Sequence, residues 1–145
     1  MNTIRCKNNS GGYSEISKDK FFFRPSVYGF IIDEGKVVLM NNKSNGKLME
    51  TALKREILEE TGLEVDVIKL LLTKENFFYF APKDAAYHAF LFFYLCRARP
   101  NQNLINDGLV NDIESEKPRW IELKTLVKED FSDLKDEIYK LLKSL

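Results

Sequence analysis

The chain is poor in sulfur and imidazole. Cys6 and Cys96 are the only cysteines in 145 residues and His88 the only histidine. The two thiols fit no CxxC or Cys/His spacing, which argues against a disulfide framework or a zinc site and leaves two reduced cysteines as the expectation. Net charge is missing as well, since 22 Lys and Arg balance 22 Asp and Glu. A chain without a global positive field has no general pull toward polynucleotides or anionic lipid, so neither nucleic acid nor membrane is expected as a partner. The longest apolar run, Ala85 to Cys96, is interrupted by His88 and falls well short of the roughly 20 residues a membrane helix needs. The opening MNTIRCKNNSGGYSEISKDK has no apolar core of secretory type, and a cytoplasmic location is the expectation.

What is present suits a single folded unit. Hydrophobic residues form 44% of the chain and charged residues 30%, the mixture of ordinary globular domains rather than of disordered chains. Residues 1–20 are polar, with Ser10, Gly11 and Gly12 at their centre, and read as a loose arm or short edge element. Residues 21–145 read as one domain. From Pro25 the residues turn strand-like, through Val27, Tyr28, Phe30, Ile31 and Ile32 to the turn Asp33-Glu34-Gly35, and then Val37 to Met40, which predicts a hairpin. Residues 48–61 predict a helix closed by Gly62 followed by Leu63, the glycine-then-hydrophobe pattern of a left-handed C-cap. Val65 to Leu72 predicts a strand. Lys74 to Asp84, with Pro82 among its aromatics, predicts a strand end and loop. Ala86 to Arg97, apolar on both faces, predicts a central strand. After a surface loop around 101–112 come a short strand at Arg119 to Leu123 and a closing helix with the stripe Leu134, Ile138, Leu141, Leu142, Leu145. Interleaved strands and helices of this kind predict an α/β fold, a mixed sheet with helices packed on it.

The chemistry concentrates in Leu48 to Leu63. Met49, Ala52 and Leu53 form an apolar face by the i, i+3, i+4 rule. Seven residues on, that face leads from Met49 to Glu56 and from Leu53 to Glu60, with Glu59 beside them. A solvated acidic helix is one reading, supported by the Arg55/Glu59 and Glu50/Lys54 spacings. The other is a cation site. If that face is screened from water, repulsion between carboxylates about 5.5 Å apart reaches roughly 3 kcal/mol per pair at an effective dielectric near 20. A positive partner would be required, and hard carboxylate oxygens favour Mg²⁺ or Mn²⁺.

The run Arg55-Glu56-Ile57-Leu58-Glu59-Glu60-Thr61-Gly62-Leu63 resembles REUXEEXGU, the second half of the Nudix box GX5EX7REUXEEXGU of the MutT-like Nudix hydrolases. Every fixed position is filled, with Ile57 and Leu63 at the aliphatic positions. The resemblance extends over roughly residues 24–145 in the order of strands and helices. It implies an α/β/α sandwich and a pyrophosphohydrolase that cuts a nucleoside diphosphate linked to another moiety, a small-molecule nucleotide substrate, with a homodimer admitted. By position it implies that Glu56, Glu59 and Glu60 ligate Mg²⁺ (or Mn²⁺) and that Arg55 holds the helix turn through an ion pair. A further glutamate from a later loop would be a base or ligand; Glu114 is the better placed candidate and Glu116 the second.

The first half of that pattern is absent. The family glutamate should fall at position 47 and its glycine at 41, where this chain has Lys47 and Asn41. The shortfall is about ten residues where connections are short and usually kept. Two readings follow. Either the molecule carries a further stretch there and the enzyme reading stands, or the loss is real and leaves a catalytically impaired domain that binds a nucleotide or protein partner, because positioning of the reactants would suffer.

Three other features have less to carry. His88 lacks a Ser, Cys or Asp pattern for nucleophilic catalysis and reads as a packed strand residue. Phe77, Phe78, Tyr79 and Phe80 offer faces on which a base can stack, although packing explains aromatics more often. Arg24 offers a fork of donors to a phosphate, with surface pairing as the plainer reading.

Overall fold

A computed structural model describes residues 2–43, 48–105, 118–128 and 135–145. The described strands are β1 (Thr3–Asn8), β2 (Tyr13–Ser17), β3 (Phe21–Asp33), β4 (Lys36–Lys43), β5 (Val65–Phe80), β6 (Ala85–Ala98) and β7 (Ile121–Glu122). The helices are α1 (Met49–Thr61) and α2 (Lys135–Lys143). The strands form one mixed sheet in the order β2-β1-β5-β6-β3-β4-β7. Two joins are parallel, β1 with β5 and β3 with β6. The others are antiparallel.

The layers follow from alternation along the strands, because successive side chains point to opposite faces. On β3 and β4, Val27, Ile31 and Val38 pack with Leu53 and Ile57 of α1 and with Tyr94 and Cys96 of β6. Phe30 and Val37 turn the other way and join Leu91 and Phe93 of β6, Leu126, and Ile138 and Leu142 of α2. Each helix therefore covers one face of a sheet whose central strand β6 is apolar on both sides, the α/β/α arrangement expected. Helix α1 lies close to β3 at Gly29, where an added Cβ would meet Ile57 Cδ1 at 3.1 Å and Leu53 Cδ1 at 3.2 Å. Glycine there lets the helix settle onto the strand.

The predicted hairpin forms, with Glu34 and Gly35 both at positive φ (44° and 77°) in a two-residue turn that matches the twist of the strands. The polar first residues form a second hairpin, β1–β2. It is joined to the sheet through Lys7↔Phe78 and Asn8↔Tyr79 and buries Cys6. The expected loop at Lys74 to Asp84 is corrected: residues 74–80 continue β5 in register with residues 85–91 of β6. The polar trio Lys74-Glu75-Asn76 interrupts the apolar pattern without interrupting the ladder, because β6 is long enough to template it. The connection is confined to one turn of 3-10 helix, Ala81–Lys83. Two irregularities in β5, between Val67 and Lys69 and between Leu70 and Leu72, absorb the extra residues of the longer strand. The strand expected at Arg119 to Leu123 narrows to Ile121–Glu122.

Candidate functional site

Helix α1 carries the acidic run. Its start at Leu48 has no side-chain cap, whereas its end is well secured. Gly62 adopts φ 75° and its N–H donates to Leu58 O. The Thr61 hydroxyl donates to Ile57 O (2.6 Å) and accepts from Leu63 N–H (3.1 Å). Ile105 N–H reaches Thr61 O at 2.9 Å. Gln102 brackets the next residue, accepting from Glu64 N–H at 2.7 Å and donating to Glu64 O at 2.9 Å. The turn that bears Glu59 and Glu60 is thus fastened from the loop after β6.

Ala52, Leu53, Ile57 and Thr61 are the buried stripe of the helix, and this sets where the carboxylates go. Glu56, one position before Ile57, keeps only 16% of its side chain exposed and is ion-paired with Arg55. Glu60 is half-buried. Glu59 departs from the inward face expected of all three: its side chain is 58% exposed, because it stands well round the helix from Ile57 and Thr61, the buried residues of its own turns. Arg55 Nε approaches Glu59 Oε1 at 3.8 Å, too far for a hydrogen bond, and that nitrogen is buried without an acceptor. The guanidinium therefore lies between Glu56 and Glu59 and lowers the repulsion between them. With 38% of the Arg55 side chain exposed, solvent screening limits the stabilisation.

The donor chemistry of Glu56, Glu59 and Glu60 suits a hard divalent cation. As placed, the three do not converge, and among the described residues no three His, Cys, Asp or Glu side chains form a set that could hold a metal ion. Glu114 and Glu116 lie outside the described residues, as do Gly46 and Lys47.

The remaining candidates sort by face. Glu50 and Lys54 flank α1 on the β6 side, where their charges are felt by Cys96. Burial pushes the Cys96 thiol up to about 12, with Lys54 opposing and Glu50 assisting. Tyr94 is raised by burial and then by Glu50. Both cysteines are free and buried. His88 stacks on Phe77 with ring centroids 4.1 Å apart and is bonded through Nε2 to Glu75. Arg24 lies over the rings of Tyr87 (5.1 Å) and Phe78 (5.8 Å), on the α2 face, and so is not gathered with the carboxylates. Phe21 and Phe23, to which the sequence pattern attached no role, stand on the α1 face beside His88. Their signal in the sequence is alternation: residues 21 and 23 share a parity that becomes a shared face once β3 and β6 are in register.

The NUDIX domain profile matches residues 23–142. Similar solved structures include a NUDIX hydrolase from Nitrosomonas europaea, 14% identical, covering 98% of this chain and 86% of that one with a TM-score of 0.63. The MutT protein (family Nudix hydrolase) of methicillin-resistant Staphylococcus aureus 252 is 16% identical, over 86% of this chain and 99% of that one, with a TM-score of 0.56. An ADP-ribose pyrophosphatase from Streptococcus suis 89-1591 is 15% identical, over 83% and 90%, with a TM-score of 0.51. No curated protein matches the sequence. With the profile spanning most of the chain and the same fold in these structures, the chain belongs to the Nudix family.

Proposed function

We propose that the protein is a pyrophosphohydrolase that cleaves a nucleoside diphosphate linked to another moiety, supported by a divalent cation, Mg²⁺ or Mn²⁺, taken up by Glu56, Glu59 and Glu60. The observation that carries this reading is the run Arg55 to Leu63, complete against REUXEEXGU, on a helix whose far end is fastened to the loop after β6. The relative named as an ADP-ribose pyrophosphatase supports the diphosphate class. When bound, the cation neutralises charge on the pyrophosphate oxygens. The ion pair with Arg55 holds the Glu56 carboxylate in place until substrate arrives. Glu59, exposed, is free to turn toward Glu56 and Glu60. The general base comes from Glu56, Glu59, Glu60 or Glu114, whichever is left facing the attacking water.

Turnover of ADP-ribose, a UDP-sugar and a nucleoside triphosphate, with Mg²⁺ or with chelator, tests the proposal. Glu60→Gln and Glu56→Gln should each lower the rate by about 10² to 10⁴ while leaving the unfolding midpoint in place. Unchanged turnover in both variants overturns it. The missing GX5E half supports the second reading, a binding domain with impaired catalysis. Absence of metal-dependent turnover on every substrate, with nucleotide binding retained, decides for that reading.

A further inference from the structure

The α1 face of the sheet extends beyond the helix, and there it is paved with rings. Phe77 of β5, His88 of β6 and Phe23 of β3 stand at one level, in register as Phe77↔His88 and Phe23↔His88. Their rings are near parallel: Phe77 to His88 is 4.1 Å at 19°, and His88 to Phe23 is 5.4 Å at 30°. Phe90 backs the row, 4.5 Å from His88 and 5.7 Å from Phe23. Phe21 closes its far side edge-on to Phe77 at 5.5 Å. Glu75, bonded to His88 Nε2, holds the imidazole upright in the row.

Among the described residues, β4 pairs with β3 as far as Ser26↔Lys43, and Phe23, at the β3 end of the row, is 76% exposed. A flat aromatic group is what continues such a stack, and nucleobases offer faces of that kind. Phe23 and Gly29 are six residues apart and so share a face, about 20 Å along the strand. Gly29 lies under Leu53 and Ile57 of α1, the helix that carries Glu56. Phe23 and the helix that carries the carboxylates therefore lie on one face of the sheet.

We infer that the row Phe77–His88–Phe23 is a stacking shelf for the base of the substrate nucleotide, with Phe23 as the ring it touches and Glu75 and His88 as positioning residues behind it. The inference rests on the hydrolase reading for the word substrate, but the shelf is testable without turnover.

The test is saturation-transfer NMR in chelator with adenosine 5′-monophosphate as probe and ribose 5-phosphate as the base-free control. The adenine protons should receive more saturation than the ribose protons, and ribose 5-phosphate should receive little. Phe23→Leu should weaken the adenosine monophosphate response at least about fivefold. Phe22→Leu, equally a surface change but on the opposite face, should leave it intact. No response from the unaltered protein overturns the shelf, as does an equal response from the base-free control or from Phe23→Leu. Self-association that depends on Phe23, seen by sedimentation without a nucleotide response, overturns it in favour of a protein contact. Glu56→Gln separates the two readings: it should abolish turnover and keep the adenine signal. Turnover surviving in that variant counts against Glu56 as a cation ligand alone, since the adenine signal judges the shelf independently.

Discussion

Gly62→Ala should be among the most damaging single-methyl changes in the molecule. Two costs combine. Gly62 sits at φ 75°, where an L-residue is strained by about 1–2 kcal/mol. The added Cβ would also fall 2.3 Å from Ile105 Cγ2 and 3.4 Å from Ile105 N. Ile105 N–H is bonded to Thr61 O at 2.9 Å, so the loop cannot withdraw without losing that bond. Forced overpacking of this kind costs about 1–3 kcal/mol, for a total of about 2–5 against a domain stability of about 5–15 kcal/mol. Gly35→Ala provides the matched control, because Gly35 has φ 77° and nothing within 4 Å of a built Cβ. It should show the conformational cost alone. Urea denaturation of the two variants isolates the contact with Ile105, and Ile105→Ala in the Gly62→Ala background should recover part of it. Equal losses for Gly62→Ala and Gly35→Ala would refute the reasoning.

Other outcomes follow from the layers and the buried thiol. Ile57→Val and Leu142→Ala act on opposite faces of the sheet. They should cost about 0.5–1.5 and 2–5 kcal/mol and add to within about 0.5 kcal/mol in the double variant; a larger coupling in denaturation curves would contradict the separation of the two cores. Burial favours the neutral form of Cys96, so its contribution is whole below pH 9 and is withdrawn as pH rises toward about 12. Stability should fall by up to about 1.4 kcal/mol per pH unit above 9, and Cys96→Ala should flatten that slope. A slope unchanged in the variant would place the alkaline loss elsewhere. Arg55→Ala removes a half-buried ion-pair partner, 38% exposed, and should cost about 1 kcal/mol or less while lowering turnover; a larger stability loss by thermal unfolding would mean that the pair with Glu56 is better shielded than that exposure implies.

Features written in local chemistry were legible in the residues. The turn at Glu34-Gly35, the cap at Gly62, the central strand β6 and the two amphipathic helices all follow from glycine position or apolar periodicity. The carboxylate run was equally legible, and its family pattern more so. What could not be read was anything set by pairing across the sheet. The extent of β5 depends on β6 and not on its own Lys74-Glu75-Asn76. The placement of β1 depends on two residues of β5 about 70 positions away. Glu59 shows the same limit at smaller scale: heptad counting places it beside Glu56, while the buried stripe through Ile57 and Thr61 decides that it turns outward. The aromatic row needs three strands in register before Phe23 and Phe77 become neighbours of His88.

The parallel joins also dictate an order of assembly during synthesis. Phe21 on β3 must wait for Ala86 on β6, about 65 residues later, before that ladder can start, and closing a loop of such length is slow as well as entropically costly. The N-terminal hairpin waits for β5 in the same way. These segments are thus seated only after the strands that follow them have been made. Until then the aromatic run Phe21-Phe22-Phe23 is an unpaired edge, open to contact with other nascent chains.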